Sequence, residues 1–216
     1  YTPPGYDPSG ATRYPVVYLV HGSPGASGDW FAAGNAAQAM DVLIRAGKVQ
    51  PMIVVAPDVN GTGPSPRDTE CLDSTTGGEQ VETYLTTTVV DTVDATYPTL
   101  ADREHRVIGG MSSGGFCALN VGLRNLDRYG TILAIEPYGN PGPGPERTML
   151  STQAEIDANT PTTYLPTMTF THPMPVFLDS GADAPQEALT TVRRMAQDLE
   201  DQGQTVELRE EPGQAH

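Results

Sequence analysis

Six short runs of β-branched and aliphatic residues recur along the chain, separated by stretches whose apolar residues fall at helical spacing. That alternation leaves few folds open. The strand-like runs cover residues 14–20, 51–58, 105–112, 131–137, 174–181 and 205–210. Most of them are near-continuously apolar, and turn residues bound them. Between them, residues 27–48, 79–97, 113–126 and 185–202 carry helical patterns, for example Val81, Leu85, Val89 and Val93 on one face. Buried strands alternating with helices imply a mostly parallel sheet with helices on both faces, the α/β class. Residues 138–173 break the rhythm. Rich in Pro, Gly and Thr, they are expected as a short cap or lid-like insertion on the loop side of a single domain spanning 1–216.

A chain of 216 residues can bury a substantial core in one domain. Its longest apolar stretches are far too short to span a bilayer. The net charge of −15 argues against nucleic acid or an anionic membrane surface as partner. No secretory signal pattern is present, and the start "YTPPGYDPSG" lacks an initiator Met, so the chain reads as a processed piece or a fragment. Composition does not address oligomeric state.

The seven residues "GGMSSGG" at 109–115 sit between apolar "RVI" and "FCALNVGL". A flexible linker does not fit there, and a phosphate loop would need a following Lys. Residues 110–114 spell G-x-S-x-G at a strand-to-helix junction, the pattern of a nucleophile elbow with Ser112 at its apex. Gly110 and Gly114 would relieve crowding in so sharp a turn. The Ser113 amide, at the start of the helix, is placed for an oxyanion. The Ser113 side chain is expected to be incidental.

A triad on this architecture takes its acid after a later strand and its histidine after the last one. Asp183 follows the fifth run and His216 the sixth. His105 and His172 precede strands, at the wrong end of the sheet, and His21 reads as a structural turn histidine. His216 is therefore the expected base. Asp179 and Glu136 compete with Asp183 for the acid, and Asp183, free of its strand, is the preferred choice. The turn "VHGSPG" after the first run supplies a second oxyanion donor, for which the Ser23 amide is the candidate. Glu136 has two readings, a contact to a substrate ammonium group or a loop-bracing hydrogen bond, the latter being simpler.

The segments "PPGYDPSG…YPVVYLVHGSPG", "VVAPD", "RVIGGMSSGGFCAL" and "PGQAH" together resemble the putative-esterase branch of the α/β-hydrolases. That branch includes esterase D, feruloyl and enterochelin esterases and the antigen 85 mycolyltransferases. The resemblance covers nearly the whole chain. It implies an α/β-hydrolase fold and acyl-ester hydrolysis by Ser112, His216 and Asp183, with no metal or organic cofactor. The expected partner is a small-molecule or lipid-linked ester; Glu136 and the strong acidity suggest a substrate with an ammonium group, such as an aminoacyl ester of a lipid head group. Acyl transfer of the mycolyltransferase type is the alternative, and a catalytically silent binding or scaffold domain a more distant one. Family members usually continue past the catalytic histidine, whereas this chain ends on it.

Cys71 and Cys117 are the only cysteines. They are either two buried thiols or one bridge that would staple the loop after the second strand onto the elbow helix. The bridge, with low Lys and abundant Thr, Pro and Gly, points to an exported protein of the cell envelope or exterior, with the cytoplasm as alternative.

Overall fold

The computed structural model describes residues 1–61, 67–142 and 149–215. Six strands form one sheet: β1 (Val16–Val20), β2 (Ile53–Val55), β3 (Arg106–Met111), β4 (Thr131–Ile135), β5 (Val176–Gly181) and β6 (Val206–Glu211). Their order is β2-β1-β3-β4-β5-β6, and every pairing is parallel. The register sets Val20 opposite Gly110, Met111 opposite Ile135 and Gly181 opposite Glu211. The loops that leave β1, β3, β4, β5 and β6 therefore emerge at one end of the sheet, where side chains from distant parts of the sequence can meet.

The helices follow the sequence pattern with two instructive departures. The expected helix over 27–48 is split into α1 (Asp29–Ala32) and α2 (Ala36–Arg45). A Cβ on Gly34 would lie 2.8 Å from the Trp30 carbonyl oxygen, and Asn35 is left-handed at φ 49°. Both residues suit a sharp break, because Gly has no Cβ and Asn tolerates that region better than most. The helix over 79–97 is built from α3 (Val81–Thr83), a π-helical stretch (Tyr84–Val89) and α4 (Val90–Thr96). Strict four-residue spacing drifts by about 40° per step on an α-helix. The wider π turn offsets that drift, so Val81, Leu85, Val89 and Val93 all remain buried.

α5 (Ser113–Arg124) starts directly from β3 and is buried through residue 123. Later come α6 (Gln153–Ala158), with a capping box closed by Thr152 and Glu155, then α7 (Pro161–Tyr164) and α8 (Gln186–Asp201). One face of the sheet (Val16, Tyr18, Ile108, Ile132, Leu178) is buried in the main core together with side chains of α5 and α8. On the opposite face, Leu19, Val107, Leu133 and Phe177 are half-buried.

Of the segment expected as a cap, residues 143–148 lie outside the described residues. The part from 149 onward packs against the helical layer. Leu165 is fully buried in the main core, and the Tyr164 hydroxyl donates to Asn120 of α5 at 3.0 Å.

Candidate active site

The turn between β3 and α5 has the strain its sequence calls for. Ser112 is held at φ 58°, ψ −121°, a conformation that costs a non-glycine residue free energy. Packing fixes it there. A Cβ on Gly110 would lie 2.2 Å from the Gly114 carbonyl oxygen, and one on Gly114 would lie 2.3 Å from that of Val20. The Ser112 N–H donates to the Ile135 carbonyl at 2.9 Å, and its own carbonyl accepts from Phe116 at 2.9 Å. Ser112 is thus the last rung of the sheet and the N-cap of α5 at once.

The loop after β1 lies against this turn. A Cβ on Gly22 would be 3.1 Å from the Met111 carbonyl oxygen and 3.5 Å from the Ser112 Cβ. Ser113 begins α5 directly after Ser112, and Ser23 follows Gly22 in the loop after β1. A cleft of about 510 Å³ opens here, lined by Pro24, Trp30, Ala33, Met111 and Ser112 among others.

His21 is a packed turn residue. Its Nε2 accepts from the Val59 N–H at 3.2 Å, and its Nδ1 lies 2.8 Å from the Gly22 carbonyl oxygen. The two contacts together select the neutral Nδ1–H tautomer. His105 sits at the start of β3, paired with Asp102, and exposed His172 precedes β5. Both are at the far end of the strands from Ser112. His216 lies outside the described residues.

The loop carrying Asp183 is tied to the loop that leads to residue 216. The Ala182 N–H donates to the Glu211 carbonyl and the Asp183 N–H to the Gln214 carbonyl, each at 2.9 Å. A Cβ on Gly181 would collide with the Gln214 carbonyl oxygen at 2.4 Å. The Asp183 side chain is exposed. Asp179 stays within β5, where burial, then Glu211 and Glu136, raise its pKa above the usual carboxylate value.

Glu136 takes a left-handed φ of 51° and turns its carboxylate onto the Gly181 N–H at 2.6 Å. Its backbone N–H donates to the Asp179 carbonyl at 2.7 Å. These bonds fit the bracing reading of Glu136, because they tie the ends of β4 and β5 together.

Sequence reasoning missed the polar group behind the elbow. The Ser113 hydroxyl, expected to be incidental, donates to Asp68 Oδ1 at 2.7 Å. The same oxygen accepts the Glu70 N–H at 2.9 Å. Glu70 is buried and accepts the Tyr138 hydroxyl at 2.6 and 2.5 Å. Tyr138 in turn stacks on Phe116 of α5 with ring centroids 5.0 Å apart. Burial, then the Glu70 charge, push the Tyr138 phenol well above its ordinary pKa. The Cys71–Cys117 disulfide closes the group, with Cα atoms 5.4 Å apart. The one sequence signal was Cys71 itself, three residues from Asp68.

A family described as "Putative esterase" matches residues 1–210. The chain belongs to that family. The fold of this esterase-family domain is shared with a solved ferulic acid esterase at a TM-score of 0.76 and 25% identity, over 95% of this chain and 79% of that one. An S-formylglutathione hydrolase from Agrobacterium tumefaciens superposes at 0.73 with 16% identity, over 95% and 78% of the two chains. Two curated relatives are an uncharacterized protein of Corynebacterium glutamicum, 31% identical over 142 residues, and an endo-1,4-beta-xylanase/feruloyl esterase of Xylanibacter ruminicola, 33% identical over 118. Those matches cover 65% and 55% of this domain but 32% and 16% of the relatives' lengths.

Proposed function

We propose that this domain is a serine esterase whose nucleophile is Ser112, with His216 as general base and Asp183 as the acid that orients it. The observation that carries the reading is the strained Ser112, held at the start of α5 on a cleft that Ser23 also lines. In this mechanism the Ser112 hydroxyl attacks the ester carbonyl while His216 takes its proton. The Ser113 and Ser23 amides hold the tetrahedral oxyanion, His216 returns the proton to the leaving alcohol, and water hydrolyses the acyl-enzyme. Position supports Asp183 as the acid, since its loop is bonded to the loop leading to residue 216.

For substrate, the proposal is a small-molecule carboxylic ester with an apolar or aromatic group seated against Trp30, Pro24 and Met111. The feruloyl esterase named among the relatives supports that choice. With Glu136 occupied in bracing, nothing in the arrangement favours an aminoacyl ester. The disulfide and the xylanase relative support export, and among the described residues no helix is long and apolar enough to cross a membrane. The test is hydrolysis of short-chain and hydroxycinnamate methyl esters, with fluorophosphonate labelling, by the wild type and Ser112→Ala. Both activities should vanish in the variant. Hydrolysis retained by Ser112→Ala overturns the assignment.

A further inference from the structure

Ser112 is fixed on the sheet side by its N–H bond to Ile135. The next residue, whose amide is the proposed oxyanion donor, is fixed through its side chain. Ser113 is buried, and Asp68 is the acceptor of its hydroxyl, at 2.7 Å across 45 residues of sequence. Asp68 is itself held in place. Its Oδ1 also takes the Glu70 N–H, Glu70 takes the Tyr138 hydroxyl, and Cys71 is bonded covalently to Cys117 in the second turn of α5. Glu70 and Cys71 both adopt left-handed backbone, at φ 50° and 52°, so this short turn is over-determined by its anchors. Strain retained in that way fits a part whose placement matters.

We infer that Asp68 is a positioning residue for the esterase reaction: through the Ser113 hydroxyl it holds the Ser113 amide at the place where the oxyanion forms. The proposal rests on the reading of Ser112 as nucleophile. Asp68 touches neither substrate nor the reacting atoms; it acts through Ser113. An oxyanion donor contributes chiefly in the transition state, so loosening it lowers kcat and leaves KM in place. Outright loss of such a donor costs about 10²–10³ in kcat, and loosening one should cost less, about tenfold.

The experiment compares wild type, Asp68→Ala, Asp68→Asn, Ser113→Ala and the Asp68→Ala/Ser113→Ala pair on one activated ester. Each kcat is normalised to active sites titrated with a fluorophosphonate, so that misfolded protein drops out. The expected result is a fall of about tenfold in kcat for Asp68→Ala and for Ser113→Ala, with KM within twofold. The pair should be no worse than either single change, because both remove the same bond. Asp68→Asn keeps an acceptor at that position and should retain at least a third of the wild-type kcat. If Asp68→Ala does not fold, Ser113→Ala removes the same bond by deleting one hydroxyl. A kcat per active site within twofold of wild type in the single variants, or losses that multiply in the pair, overturns the inference. Ser112→Ala run alongside separates the two readings. Activity there overturns the nucleophile and this inference together, whereas an inert Ser112→Ala with fully active Asp68→Ala and Ser113→Ala overturns this inference alone.

Discussion

The backbone N–H of Asp183 donates to the carbonyl of Gln214 at 2.9 Å, which joins the loop after β5 to the loop after β6. The bond bears on the choice of acid among Asp183, Asp179 and Glu136. Asp183 stands in the joined loops, and its partner Gln214 is two residues before His216 in the sequence. Asp179 is inside β5, paired in register with Ile135 and Arg209. Asp183→Asn is therefore expected to lower kcat by about 10³–10⁴, the scale seen when a triad acid loses its charge. Asp179→Asn should leave kcat within threefold of wild type. Steady-state kinetics on both variants checks the pair of outcomes, and the reverse pattern would hand the role to Asp179.

Asp179 also makes a prediction about stability. Its pKa is raised in the folded protein, by burial first and then by Glu211 and Glu136. A raised carboxylate favours folding below its unfolded pKa, about 3.9, and that contribution is lost as pH rises through the folded value. At pH 7 the ionised Asp179 therefore works against the fold. Asp179→Asn should raise the urea midpoint at pH 7 by an amount worth up to about 1 kcal/mol, since the group is partly solvated. At pH 3 the two proteins should unfold alike. A variant less stable than wild type at pH 7 would contradict this account.

The strand positions and the elbow could be read from local sequence because each follows from local chemistry. Continuous β-branched runs make buried strands, and G-x-S-x-G at a strand end makes a turn only glycines can flank. The break at Gly34 and Asn35 was equally local, yet residues 27–48 were expected as one helix. The Cys71–Cys117 bridge was one of the two readings of the only cysteines, but polar pairing across long separations could not be read. Ser113 meets Asp68 over 45 residues and Tyr138 meets Glu70 over 68. Partly buried hydroxyls and carboxylates have no period in sequence, so only the fold shows that they share a bond. Residues 149–173 escaped for a similar reason, because turn-rich composition does not reveal that Leu165 ends in the core.

The elbow's glycines give the sharpest steric prediction. A Cβ at position 114 would stand 2.3 Å from the Val20 carbonyl oxygen at the end of β1 and 2.6 Å from that of His21 in the turn that follows. Neither can yield without moving β1 against α5. Gly114→Ala should destabilise the fold by about 1–3 kcal/mol, the usual range for overpacking. It should also depress kcat further than unfolding accounts for, because the displaced segment carries Ser23. Gly28→Ala is the control, since a Cβ there meets nothing within 4 Å. Chemical denaturation together with active-site titration measures both effects.

The disulfide makes the last prediction. Cys71 and Cys117 close a loop of 46 residues, which in the chain-entropy treatment stabilises the folded state by about 4 kcal/mol. Both cysteines are buried, at 2% and 0% exposure, so native protein should resist mild reductant and show no alkylatable thiol. After unfolding and reduction, two thiols should alkylate. Protein held reduced should unfold at a lower urea concentration, by a free-energy difference of about 2–4 kcal/mol. If Asp68 acts through Ser113, reduction should also lower kcat per titrated site in the wild type and have much less effect in Ser113→Ala. An equal loss in both backgrounds would mean that the bridge supports the fold without supporting the oxyanion amide.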